Sequence, residues 1–178
     1  MTTLETLLLD PDMSGVWNLD PNRSTVTFKI RNMWGLLNVK GRFTEFAGDG
    51  QLTGAGAVFG RLDIRTTSLN TGIGRRDEHL RSADFFDVER FPEISVVVTA
   101  VQPTEGKAAE LRANFTIKGV TAPLLLPVTV TEAGDGSIQI SGETSIDRSQ
   151  FDLGWNKFGM VAPTATAAAQ AVFVRSAQ

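Results

Sequence analysis

The chain of 178 residues contains no cysteine and one histidine, His79. Without cysteine there is neither a disulfide framework nor a thiolate metal site, and a single histidine among scattered carboxylates denies a transition metal its clustered ligands. No metal or other cofactor is therefore expected. Long apolar runs are also missing: nothing approaches the roughly 20 residues of a membrane-spanning helix. Seventeen Lys and Arg stand against twenty Asp and Glu, a net charge of −3. No basic block interleaved with aromatics is present, which argues against nucleic acid as a partner. The opening "MTTLETLLLDPD" has no basic n-region, no long apolar stretch and no small-residue cleavage site, so the chain reads as not exported and its expected location is cytoplasmic.

What is present is glycine, valine, threonine, isoleucine and phenylalanine in period-two patterns, the signature of antiparallel strands joined by short turns. The expected strands are 15–20, 24–32, 36–47, 54–69, 93–102, 108–118, 122–132, 136–147 and 167–175. A helical turn or two is expected within 74–90 and a short strand near 150–154. Val26, Phe28 and Ile30 alternate with Thr25, Thr27, Lys29 and Arg31, and Ile138, Ile140 and Ile146 with Gln139, Ser141 and Asp147. Each strand thus has a wet face and a dry one. About eight such strands close into a barrel or fold into a sandwich, and alternation by itself does not choose. Residues 1–13 read as an N-terminal arm and 14–178 as one domain. Within the arm, Thr2 and Glu5 have the spacing of a capping box, with Leu4, Leu7 and Leu8 on one side of a short helix that Pro11 follows. Such a segment lies on the domain or frays.

Gly41, Gly60, Ala113 and Gly142 fall in the dry register of four different strands. Small residues in phase with the apolar set leave room inside. Taken singly, each also suits a bulge or a bend at a barrel corner. Together they favour an interior not filled by its own side chains, and an eight-stranded barrel of this kind holds one small apolar ligand.

The charged stretch "GRRDEHLRSADFFDVERFPEI" has residue types that acid–base chemistry uses, yet each has a structural task. Asp77 and Arg81 are spaced for an i, i+4 pair, Leu80 supplies an apolar side, and Asp84 is placed to cap the turn carrying Phe85 and Phe86. No nucleophile with a second base is in view, and His79 reads as a hydrogen-bonded anchor between helix and barrel.

"RDEHLRSADFFDVERFP" resembles the RDxHLxSxDFFD signature of the YceI-like family of polyisoprenoid-binding proteins, which are similar to lipocalins in fold. "GVWNLDPNRSTVTFKI" resembles the family's opening strand motif, "VKGRF" its central strand, "FTIKGVTAPLLLPVTV" its hairpin and "SIDRSQFDLG" its late DRxxFGL segment. The departures are Arg23 and Asn32 where relatives often carry histidine, Asp152 within the late motif, and the missing export signal. The resemblance implies an all-β, antiparallel, lipocalin-like barrel of about eight strands with a short helix packed on or near its mouth. It implies non-enzymatic binding, storage or transport of a polyisoprenoid, an isoprenoid quinone or a related lipid, and by analogy a homodimer. A structural or stress-linked module and an enzyme acting on a lipid are the other classes open to such a chain. Arg76, Asp77, His79, Leu80, Ser82, Asp84, Phe85 and Phe86 match the signature and are expected to be scaffold, with no catalytic residue among them. The expected ligand contacts are the dry-register residues Phe28, Ile30, Val39, Phe43, Leu62, Ile64, Phe115, Ile117, Leu126, Val128, Ile140 and Phe173, with Trp34 and Trp155 at a rim.

Overall fold

A computed structural model describes residues 4–156 and 159–176. Eleven strands form one antiparallel sheet: β1 (Gly15–Leu19), β2 (Thr25–Asn32), β3 (Leu37–Phe43), β4 (Phe46–Leu52), β5 (Val58–Arg65), β6 (Leu69–Asn70), β7 (Glu93–Pro103), β8 (Ala108–Ile117), β9 (Val120–Glu132), β10 (Ile138–Asp147) and β11 (Thr164–Arg175). Among the described residues two α-helices accompany them, α1 (Leu4–Leu8) and α2 (Gly74–Arg81). β11 pairs with β10 on one side and with both β1 and β2 on the other, which closes the sheet into a barrel. β1–β2, β3–β4 and β5–β6 each act as one broken stave, so the closed barrel has eight.

The three breaks lie side by side. Pro21 has no N–H for the ladder, and Asp20 folds into an Asx turn by accepting the Asn22 N–H at 3.0 Å. Ser24 repairs the gap: its Oγ donates to the Asp20 carbonyl at 2.7 Å and accepts the Val172 N–H at 2.9 Å. The expected strand 36–47 is interrupted at Thr44 and Glu45, where the Thr44 N–H donates to Ser68 Oγ at 3.1 Å. The expected strand 54–69 begins only at Val58 and yields to a 3-10 turn at Thr66–Ser68, because Thr66 Oγ1 donates to the Phe91 carbonyl at 2.8 Å and draws the chain out of the ladder. The strand expected near 150–154 is a 3-10 turn, Arg148–Phe151, with Asp152 in left-handed backbone at φ 57°. β11 starts at Thr164 rather than 167, its run of alanines pairing with β2 and β10 alike.

The interior divides into two halves. At the α2 end, Phe28, Phe43, Phe86, Phe115 and Phe151 pack with Ile30, Ile64 and Ile117 into a filled core. Phe28 and Phe43 lie 5.4 Å apart between ring centroids, and Phe86 meets Phe43 edge-on at 5.9 Å. At the other end, Leu4 and Leu8 of α1 are buried against Trp17, Leu111, Val128, Val130 and Ile138. The arm is therefore docked: the Leu4 N–H donates to the Gly106 carbonyl and the Gly56 N–H to the Leu8 carbonyl. Thr2, the first residue of the expected capping box, lies outside the described residues. No described helix is long and apolar enough to cross a membrane.

Candidate functional site: an apolar cavity beneath the N-terminal helix

The α1 half of the barrel contains a cavity of about 190 Å³. Its wall is apolar because the inward register carries Leu, Val and Ile with glycines on β4, β5 and β10, Ala169, Ala171 and Phe173 on β11 and Trp17 on β1, and it is roofed by Leu4, Leu7 and Leu8. Gly50 and Gly60 face each other across β4 and β5, and neither has a side chain to occupy the space between Trp17 and Val98. Around Gly60 a Cβ would meet nothing nearer than Val98 at 3.7 Å, an ordinary contact. Gly142 also lines the cavity but more tightly, since a Cβ there would approach Val128 Cγ1 at 2.9 Å. Gly41 makes no room: the Phe28 ring fills its place, 2.3 Å from where a Cβ would stand. Ala113 is buried in the packed core of the α2 half.

Five of the expected contacts, Leu62, Leu126, Val128, Ile140 and Phe173, line this cavity. Phe28, Ile30, Val39, Phe43, Ile64, Phe115 and Ile117 do not, because they pack against one another and against Phe85 and Phe86 in the α2 half. The split follows from α2 and the segment after it, which drive two phenylalanines into that end. Trp155 packs there too, edge-on to His79 at 4.5 Å between ring centroids. Trp34 stands exposed at the tip of the β2–β3 hairpin. The leucines of α1 and Met13 are lining residues outside the strands that alternation does not reveal; the one-sided spacing of Leu4, Leu7 and Leu8 was the leucines' signal.

The charged stretch lies away from the cavity. The expected Asp77–Arg81 pair does not form. Buried Asp77 accepts from the Thr71 N–H at 2.9 Å and from Thr71 Oγ1 at 2.5 Å, while Arg81 donates to the Thr67 and Leu69 carbonyls. Arg76 donates to Thr71 Oγ1 and to its carbonyl, so both side chains hold the β6–α2 connection. Ser82 stops the helix, its Oγ donating to the His79 carbonyl at 2.6 Å, and Ser82 rather than the expected Asp84 holds the turn carrying Phe85 and Phe86, its carbonyl accepting the Phe85 N–H. Asp84 turns back to His79, Oδ2 to Nε2 at 2.9 Å. His79 bridges α2, Phe85 and Trp155 while its side chain stays partly exposed. Leu80, Phe85 and Phe86 complete the packed core.

Buried Arg148 is the structural centre of the β10–β11 connection. It donates to the carbonyls of Ala162 at 2.8 Å, Leu153 at 2.5 Å and Trp155 at 3.2 Å. Burial pulls its pKa below the ordinary arginine value, and neighbouring Asp147 opposes that shift. None of the buried polar side chains, Ser24, Thr66, Asp77, Asp87, Ser137 and Arg148, lines the cavity. Its charged and amide residues are Asp49, Gln51 and Arg61, all on β4 and β5. Among the described residues no cluster of three His, Cys, Asp or Glu is placed to hold a metal. The chemistry on offer is desolvation of an apolar group.

A family model described as the YceI-like domain matches residues 17–173. The UPF0312 protein of Pseudomonas putida (strain W619) is 34% identical over 143 residues, covering 79% of this chain and 73% of the relative. The UPF0312 protein of Pseudomonas syringae pv. tomato is 32% identical over the same length. Among solved structures, Burkholderia cenocepacia BcnA superposes with a TM-score of 0.80 at 24% identity, covering 86% of this chain and 98% of BcnA. A Saccharophagus degradans domain described as polyisoprenoid-binding superposes with a TM-score of 0.73 at 18% identity, covering 90% and 98%. At these identities the two structures establish the barrel fold.

Proposed function

We propose, from the premise that this chain belongs to the YceI-like family, that the barrel binds the apolar chain of a lipid of the polyisoprenoid or isoprenoid-quinone class, and stores or carries it without chemical change. The observation that carries this reading is the cavity: apolar, glycine-widened and roofed by a short helix. The likeness to the S. degradans domain supports the choice of ligand class. A volume of 190 Å³ is slightly larger than the roughly 150 Å³ engineered cavity that admits benzene, so the barrel as it stands receives a chain segment and not a whole polyprenyl lipid. A longer ligand displaces Leu4, Leu7 and Leu8. That exchange is nearly neutral in transfer free energy, because one branched aliphatic group replaces another. Each 100 Å² of ligand surface then buried contributes about 2.5 kcal/mol before association costs.

Mass spectrometry of organic extracts from the purified, denatured protein is the direct test, paired with Gly60→Phe. The ring enters the space left by the glycine, so the variant is expected to fold and to lose the extracted lipid. Lipid retained at parental stoichiometry, or no lipid extracted from the parent and none taken up on incubation with isoprenoid quinones, would overturn the proposal. Gly142→Phe is the poorer probe, since its contact with Val128 adds overpacking to any loss of ligand.

A further inference from the structure

The β2–β3 hairpin breaks two local rules at once. At its tip, Met33 (φ 53°) and Trp34 (φ 55°) adopt left-handed backbone, a conformation that hairpin turns ordinarily give to glycine or asparagine. Trp34 is 70% exposed, Leu36 82%, Leu37 56% and Met33 38%. The indole N–H of Trp34 has no partner among the described residues. Strain at this turn therefore displays large apolar side chains to the outside instead of burying them.

Behind the tip, the outward register carries Lys29 and Arg31 on β2 and Lys40 and Arg42 on β3. Lys29 stands directly opposite Lys40, a like-charge pair that weakens a strand pairing. None of the four forms an ion pair among the described residues. The flanking strands offer no charge either: Thr166 of β11 faces Lys29, and Asn70 of β6 faces Arg42. In a chain of net charge −3, four uncompensated cations thus sit directly behind four apolar side chains.

We propose that this hairpin docks the protein onto the surface of an anionic lipid bilayer. Trp34, Leu36 and Leu37 enter the headgroup boundary, where an indole finds an apolar medium for its body and acceptors for its N–H. Arg31 then lies nearest the lipid phosphates and the Lys29–Lys40 pair about 7 Å behind it, within a Debye length, while Arg42, about 7 Å further back, adds only a weaker attraction. A second copy of the chain is the less suitable occupant, because mating two tips would bring two basic collars together. The tip is at the α2 end and the cavity is roofed by α1 at the other, so docking does not depend on what the cavity holds.

Sedimentation with vesicles free of isoprenoids tests this independently of ligand binding. The protein is expected to bind mixed phosphatidylglycerol–phosphatidylcholine vesicles about tenfold or more tightly than phosphatidylcholine alone, and to be released by salt. The triple variant Trp34→Ser, Leu36→Ser, Leu37→Ser should keep its melting temperature and lose vesicle binding. Lys29→Glu combined with Lys40→Glu should lose the preference for anionic lipid. Equal partition between the two vesicle types, or unchanged binding by both variants, overturns the proposal. So does sedimentation velocity showing that the triple substitution only converts a dimer to a monomer.

Discussion

Arg148 shows how a single residue organises the α2 end. Replacing it by Met removes the donors and strands several buried carbonyls, so Arg148→Met should cost about 2–4 kcal/mol in urea unfolding, with Arg148→Lys recovering little of it. His79 belongs to the same neighbourhood with less at stake, because its bond to Asp84 is partly exposed. His79→Ala should lower stability by about 0.5–1 kcal/mol and leave extracted lipid per folded molecule unchanged. Asp147 is held below the usual carboxylate range by the Ser149 hydroxyl and then the Ser149 N–H, and Asp135 likewise by the Ser137 hydroxyl and N–H. A depressed carboxyl stabilises the fold above its unfolded pKa and loses that contribution as pH falls through its folded value. Acid titration of unfolding should therefore fall off less steeply below about pH 4 in the double variant Asp135→Ala, Asp147→Ala than in the parent. The role of Arg148 was legible in principle: it continues the inward phase of Ile138, Ile140 and Ile146, and a charge at an inward position requires buried acceptors. The destination of Asp77 was not legible, since helical spacing offered Arg81 while Thr71, six residues upstream, holds the carboxylate.

At the scale of elements, α1 links the fold to the proposed ligand. Leu4 and Leu8 are buried, yet the helix has only five residues and few hydrogen bonds to the barrel. Leu4→Ser with Leu8→Ser should release it, cost about 2–4 kcal/mol from lost apolar burial, and leave the barrel folded. Fluorescence of a bound polyene should then report faster exchange. Exchange at the parental rate would show that the roof does not control entry. Strand alternation located β2, β8 and β10 closely because each has one wet and one dry face over its whole length. It missed the interruptions at Thr44 and Thr66, where side-chain hydrogen bonds to Ser68 and Phe91 prevail over the continuing apolar pattern.

Across the whole molecule, the same inward register serves two purposes. Where α2 and the phenylalanines that follow it enter, the register is solid core, even at Gly41; where Gly50 and Gly60 leave space unfilled, it is cavity. Sequence periodicity assigns both halves the same pattern, which is why twelve inward residues were expected at the ligand and only five line the cavity. The packed phenylalanine end therefore acts as a fixed stop. If the proposed lipid enters past α1, its chain advances until it meets that stop and goes no further, so the barrel would measure its guest along one axis. Affinity in a homologous series of isoprenoid chains should rise with each added unit and then level off once the tail reaches the stop. On the proposed reading, headgroup chemistry, left at the entrance, should matter far less than length, and the barrel would act as a depth gauge for lipid tails.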